Sequence, residues 1–192
     1  LMNVAFVDQF AALCRADDVS PHAVIQAAAT KPFGFSAFMP GAGAGGHCIA
    51  VDPEFIAAQG RNIGTPIPLL ESALQSNRAR PLDLANEVVA KTTPSDIVLV
   101  VGLTYKPGVP DLRESAALAA ARQVQRARRV LAFDPLVDVP TDLAAVDLAT
   151  GLHKATVVVT LVAMPEAIRA AIEASGRRLL DATGTLSSAM EI

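Results

Sequence analysis

The chain has 192 residues, with 16 Lys and Arg against 19 Asp and Glu for a net charge of −3, and 18% of its residues are charged. This length suits one large domain or two small ones, and the composition excludes a disordered segment. Only Arg126, Arg128 and Arg129 cluster, and one Tyr with no Trp leaves no basic-aromatic surface for nucleic acid, while the most apolar run, Ile97 to Leu103, is too short to span a membrane.

Val4, Ala5, Val7, Ala11, Ala12, Leu13 and Cys14 recur at helical spacing with no capping residue ahead of them. The chain therefore reads as starting inside a helix, which stops at Asp17-Asp18. Ser20-Pro21 supplies an N-cap and a first-turn proline for a short helix to about Ala29. Residues 31–52 show no period and carry glycines at 41, 43, 45 and 46, which predicts a loop. Pro53 starts a short helix over Glu54–Ala58, and Gly60 to Pro66 is a turn. Pro66–Ala90 reads as a long helix, kinked or divided at Pro81, with Ile67, Leu70, Leu74 and Val88 near one face.

The pattern changes at Thr92. Ile97–Val101 is a short apolar, mostly β-branched run, as in a strand buried on both faces. Gly102–Arg113 is a loop, Glu114–Arg126 an Ala-rich helix, and Arg129–Phe133 a second strand ending at Asp134-Pro135. Leu143–Leu148 is expected as a short helix, Thr156–Leu161 as a third strand, Pro165–Ala174 as a helix, and Arg178–Leu180 as a fourth strand ending at Asp181. Alternation at this spacing predicts an α/β fold: a Rossmann-like parallel sheet with helices on both faces. The expected organisation is a helical unit over residues 1–91 and a small doubly wound unit over residues 92–192.

Two cysteines, Cys14 and Cys48, cannot build a disulfide framework. With no charged-then-apolar leader, a reducing cytoplasm is the expected setting. Cys48 follows Gly41, Gly43, Gly45 and Gly46, whose amides can lie against an oxyanion or phosphate. With His47 beside it and Asp52 four residues on, it is a candidate nucleophile; the competing reading is a small buried apolar residue. The glycines follow no clear strand, which argues against a dinucleotide fingerprint. His47, Cys48 and Asp52 fall short of a metal ligand set, so no metal is expected.

The string Gly45-Gly46-His47-Cys48-Ile49-Ala50-Val51-Asp52-Pro53 resembles the catalytic loop of the UDP-glucose/GDP-mannose dehydrogenase family, in the form of the branch that oxidises UDP-N-acetylmannosamine or UDP-N-acetylglucosamine. A second string, Gly102-Leu103-Thr104-Tyr105-Lys106-Pro107 through Asp111-Leu112-Arg113-Glu114-Ser115, resembles the motif after the first strand of that family's C-terminal domain; Asn77 and Asp134-Pro135 add support. The resemblance covers nearly the whole chain and corresponds to the family's central and C-terminal domains.

It implies an NAD-dependent oxidoreductase of polysaccharide biosynthesis that converts the C6 alcohol of a UDP-sugar to the acid. Cys48 matches the nucleophile that holds the C6 carbon as thiohemiacetal and thioester, and Asp52 a carboxylate that handles water or protons. Gly45 matches a glycine whose backbone lies against the sugar, Tyr105 and Lys106 a pair holding the nucleotide, and Arg113 a residue reaching the NAD phosphates. A homodimer through the central helices is also implied. Three departures stand out. The family's Gly-x-Gly-x-x-Gly cofactor domain has no counterpart here, so this chain alone is expected to be inactive. Lys31 is the only charge in residues 31–35, where the family carries His or Arg, and residues 181–192 contain no Lys or Arg, where it carries a basic residue. The second reading is a non-catalytic nucleotide-sugar-binding or dimerisation module.

Overall fold

A computed structural model describes residues 1–192. Four helices come first: α1 (Met2–Ala16), α2 (Pro21–Ala29), α3 (Cys48–Asn62) and α4 (Pro68–Ala90). α1 turns Ala5, Val7, Ala11 and Cys14 inward and packs on α4. Ser20 Oγ accepts the Ala23 N–H (3.2 Å) with Pro21 at the first helical position, so the cap forms as its sequence directs. The same hydroxyl donates to Glu191 (2.8 Å), tying α2 to the far edge of the sheet.

Two helices differ from expectation. α3 begins at Cys48, not at Pro53, and runs through Gly60 to Asn62. Cys48 therefore opens a helix, and Asp52 lies inside it and is no cap. Pro53 is accommodated because its missing N–H removes a single bond, the one to the Ile49 carbonyl one turn back. α4 is neither split nor ended by Pro81. Its second half buries Leu84, Ala85 and Val88 in the same core as the sheet. Arg128 holds its C-terminus, donating from Nη2 to the Val89 and Thr92 carbonyls (both 2.8 Å) and from Nε to Thr92 Oγ1 (2.9 Å).

The remaining elements are β1 (Ile97–Val101), α5 (Ala116–Gln125), β2 (Arg129–Phe133), β3 (Ala144–Ala145), α6 (Leu148–Lys154), β4 (Val157–Thr160), α7 (Glu166–Ala174), β5 (Arg178–Asp181) and β6 (Met190–Glu191). The six strands form one all-parallel sheet in the order β3-β2-β1-β4-β5-β6. Val98 to Val101 and all of β4 are buried, the signature of strands covered on both faces. The helix expected over Leu143–Leu148 is instead β3, with Leu131 paired to Ala144, followed by α6. Asp147 sets that boundary by accepting the Thr150 N–H (2.9 Å) as a cap. Because β2 lies on one side of β1 and β4 on the other, the chain reverses direction across the sheet there, which opens a crevice at the carboxyl ends of β1 and β4.

Candidate active site

The Gly-rich segment ahead of α3 lies against that crevice. Residues 40–46 form neither helix nor strand, so their peptide groups need partners elsewhere. Gly41 donates its N–H to Asp8 Oδ1 (2.9 Å) and its carbonyl accepts from Arg80 Nε (2.8 Å). Ala44 donates to Asn77 Oδ1 (2.7 Å) and accepts from Asn77 Nδ2 (2.9 Å). Gly46 donates to the Arg113 carbonyl (3.1 Å). Two glycines here are required by space. A Cβ on Gly45 would fall 2.5 Å from the Glu114 carbonyl oxygen and 2.9 Å from Tyr105 Cβ. A Cβ on Gly46, whose φ is +78°, would fall 2.7 Å from the Tyr105 ring.

The second motif supplies the other wall. Asp134, buried at the end of β2, accepts the Leu103 and Thr104 N–H groups on Oδ2 (2.7 and 3.2 Å) and so shapes the turn that delivers Tyr105. Ser115 caps α5 by accepting the Leu118 N–H (3.1 Å) and donates to the Leu103 carbonyl (2.6 Å). Just before it, Glu114 has φ +48°, a conformation that side chains disfavour. It is held there where the carbonyls of Arg113 and Glu114 meet Gly46 and Gly45. Asp181 plays a matching role at the end of β5, accepting from the N–H groups of Thr183, Thr185 and Leu186.

Cys48 is exposed, whereas Cys14 is buried. Asp52 stands one turn further along α3, on the same face and also exposed, with no ion-pair partner. Tyr105 is half-buried against Gly45 and Gly46. Lys106 follows it, exposed, and its ammonium makes no hydrogen bond or ion pair. Arg113 is 72% exposed and grips the Asp111 carboxylate, with Nε 2.9 Å and Nη2 2.6 Å from Oδ2. Hydrogen bonds and charge from Asp111 hold this guanidinium above its usual range. The bond from the Gly46 N–H to the Arg113 carbonyl sets Arg113 beside the segment two residues ahead of Cys48. The structure thus brings Gly45, Tyr105, Cys48 and Arg113 to one locale, with Asp52 a turn away. Lys106 shares the loop but touches none of them.

Two clefts flank the segment. One of about 240 Å³ lies over the carboxyl ends of β1 and β4, lined by Gly41, Gly43, Thr104, Tyr105, Leu161 and Thr183. The other, about 560 Å³, lies between α3, α4 and the start of α5, lined among others by Ala44, Val51, Glu54, Asn77 and Glu114. Cys48 stands at the rim of neither. The glycines of this segment follow no strand, and Arg113, the residue expected to reach NAD, is hydrogen-bonded to Asp111.

Fold and site together define a Rossmann-like α/β protein in which a cysteine-bearing, Gly-rich segment is pressed onto the ligand-binding edge of the sheet. The chain belongs to the UDP-glucose/GDP-mannose dehydrogenase family: the model of that family's central domain matches residues 1–79, and that of its UDP binding domain matches residues 99–184. It is 32% identical to the UDP-N-acetyl-D-mannosamine dehydrogenase of Yersinia pestis over 84% of this chain and 41% of that protein. With the UDP-N-acetyl-D-glucosamine 6-dehydrogenase of Pseudomonas aeruginosa it shares 29% identity over 71% of this chain and 33% of that protein. The UDP-D-ManNAc dehydrogenase structure from Pyrococcus horikoshii superposes with a TM-score of 0.81 at 24% identity, covering 99% of this chain and 47% of that one. The chain thus spans less than half the length of these relatives, which are nucleotide-sugar dehydrogenases. No helix is long and apolar enough to cross a membrane.

Proposed function

We propose that these residues are the cysteine-bearing central unit (1–91) and the nucleotide-binding unit (92–192) of an NAD-dependent 6-dehydrogenase acting on a UDP-N-acetylhexosamine. One observation carries the reading. Two strings about sixty residues apart meet in space, Gly45-Gly46 sealed against Tyr105 and Glu114, with the Cys48 thiol left open at the first turn of the next helix. In this reading the uridine diphosphate lies in the crevice beside Tyr105, with Lys106 closing on its diphosphate as a mobile point charge. The Cys48 sulfur adds to the C6 aldehyde and retains that carbon, first as thiohemiacetal and, after the second oxidation, as thioester. Asp52, on the same helical face, takes a proton from the water that releases the acid. NAD, when bound, would take up one hydride per molecule, so two are reduced for each alcohol converted to the acid. Arg113, paired with Asp111 in this structure, would reach the NAD phosphates.

A homodimer through the central helices is part of the proposal. Phe6 on α1 and Leu69 on α4, 70% and 69% exposed, line one groove between those helices, and Phe55 on α3 is 69% exposed. Sedimentation equilibrium is expected to return twice the chain mass at micromolar concentration. The site is tested by alkylating the chain with iodoacetamide and following each cysteine by mass spectrometry. Cys48 is expected to react at least tenfold faster than Cys14 and to be slowed by UDP-N-acetylglucosamine or UDP-N-acetylmannosamine. Protection by UDP alone, equal to that by the sugar nucleotides, favours the binding-module reading. Rates untouched by any of the three sink both.

A further inference from the structure

We infer that Asn77, Asp8 and Arg80 are positioning residues for the Cys48 thiol, a role that rests on the proposal above and concerns how its site is held. The segment that leads into Cys48 is held at two of its residues, Gly41 and Ala44, by side chains. Asn77 acts as a surrogate strand: its amide offers Oδ1 to the Ala44 N–H and Nδ2 to the Ala44 carbonyl, the two bonds that a neighbouring main chain would supply. Asp8 and Arg80 divide the same task at Gly41, one taking the N–H and the other serving the carbonyl. These side chains come from α1 and α4, so the segment is suspended between those two helices four to seven residues ahead of the nucleophile.

The energetics argue that these polar groups are there for placement. Asp8 and Arg80 are only 4% and 6% exposed. Burying charges is costly, and a packed apolar pair of the same volume is commonly as stable or more so. Asp8 Oδ2 and Arg80 Nη2 find no partner within the protein, so the cost is not fully offset. Arg80 is itself braced by Glu87 (2.8 Å), which Arg15 meets at 3.2 Å. A chain of three charged groups, Arg15, Glu87 and Arg80, thus ends on the Gly41 carbonyl, and Asp8 meets the N–H of the same residue. Gly43 leaves room for this arrangement, since a Cβ there would sit 3.3 Å from Asn77 Oδ1.

The test uses amide hydrogen exchange and cysteine alkylation on the 192-residue chain. Asn77→Ala is expected to speed exchange of the Ala44 amide at least tenfold, and Asp8→Ala that of the Gly41 amide by a similar factor, with the β1 amides unchanged. Asp8→Asn keeps the accepting oxygen and is expected to restore Gly41 to within threefold of wild type. In both alanine variants the Cys48 alkylation rate should move at least threefold relative to Cys14. If Asn77→Ala does not fold, Asn77→Ser carries the same expectations. Acceleration shared equally by the β1 amides, or a Cys48 rate that follows Cys14 throughout, overturns the inference. If sugar nucleotides never protect wild-type Cys48 while these shifts still occur, the nucleotide-sugar reading falls and this one holds.

Discussion

The sheet and the Gly-rich segment solve the same problem by opposite means. In the sheet, main-chain ladders satisfy the peptide groups, and apolar side chains such as Val98, Leu99 and Val159, all fully buried, supply the burial that holds it together. In residues 40–46 there is neither ladder nor apolar run, and order comes from Asp8, Asn77, Arg80 and the close approach of Tyr105 and Glu114. The first kind of order is redundant in that many contacts share it, so a core substitution is felt in global stability and not in the geometry of one segment. The second is sparse, so single changes should act on the site and leave the rest intact.

The largest effect should break the redundant side. Leu99 is fully buried in β1, and Leu99→Ala should cost about 2–5 kcal/mol in chemical denaturation. It should leave the reactivity of Cys48 relative to Cys14 unchanged in the folded protein. Next comes the charge buried under the segment. Burial, opposed by the Gly41 N–H and by the Arg80 and Arg15 charges, pushes the Asp8 carboxyl from 3.8 up to about 6, with Glu87 adding to the rise. The folded state therefore keeps this proton to higher pH than the unfolded chain does. The stability it brings is full below about pH 4 and is lost as pH rises toward 6, on the order of 2–3 kcal/mol. Asp8→Asn should remove that slope, so that the difference in denaturation midpoint between variant and wild type shifts in the variant's favour from pH 4 to pH 7.

Gly45→Ala should sharpen the contrast on the sparse side. Its Cβ would meet the Glu114 carbonyl, and the strain of roughly 1–3 kcal/mol should be relieved by local separation of the two motifs. Cys48 alkylation should change while β1 exchange stays as it was. The smallest effect is expected at Glu114, where φ +48° disfavours a side chain. Glu114→Gly should raise stability by at most about 1 kcal/mol, read as a small upward shift in Tm.

Much of this architecture is legible in the residues. The apolar runs of β1 and β4 and the Ser20-Pro21 start of α2 declare themselves because burial on both faces and capping each leave a local signature. β3 and β6 do not, because two residues are too few to show a period and their pairing comes from the neighbouring strand. The start of α3 is concealed by Pro53, which looks like a first-turn residue but sits inside the helix. At the site, the resemblance assigns Gly45 to the sugar and Tyr105 to the nucleotide, but the packing of the two against each other shows only in the structure. The grip of Asp8 and Arg80 is invisible in sequence because their partners are main-chain atoms of a segment that has no pattern.

The unbroken course of α4 past Pro81 has a mechanical consequence. Asn77 and Arg80 sit at one part of this rod, under the segment that carries Cys48, and Leu84, Ala85 and Val88 sit at the next, embedded in the sheet core. Only about 10 Å of helix separates the two. The rod works as a splint between the sheet core and the segment that carries the thiol, so the two cannot drift independently.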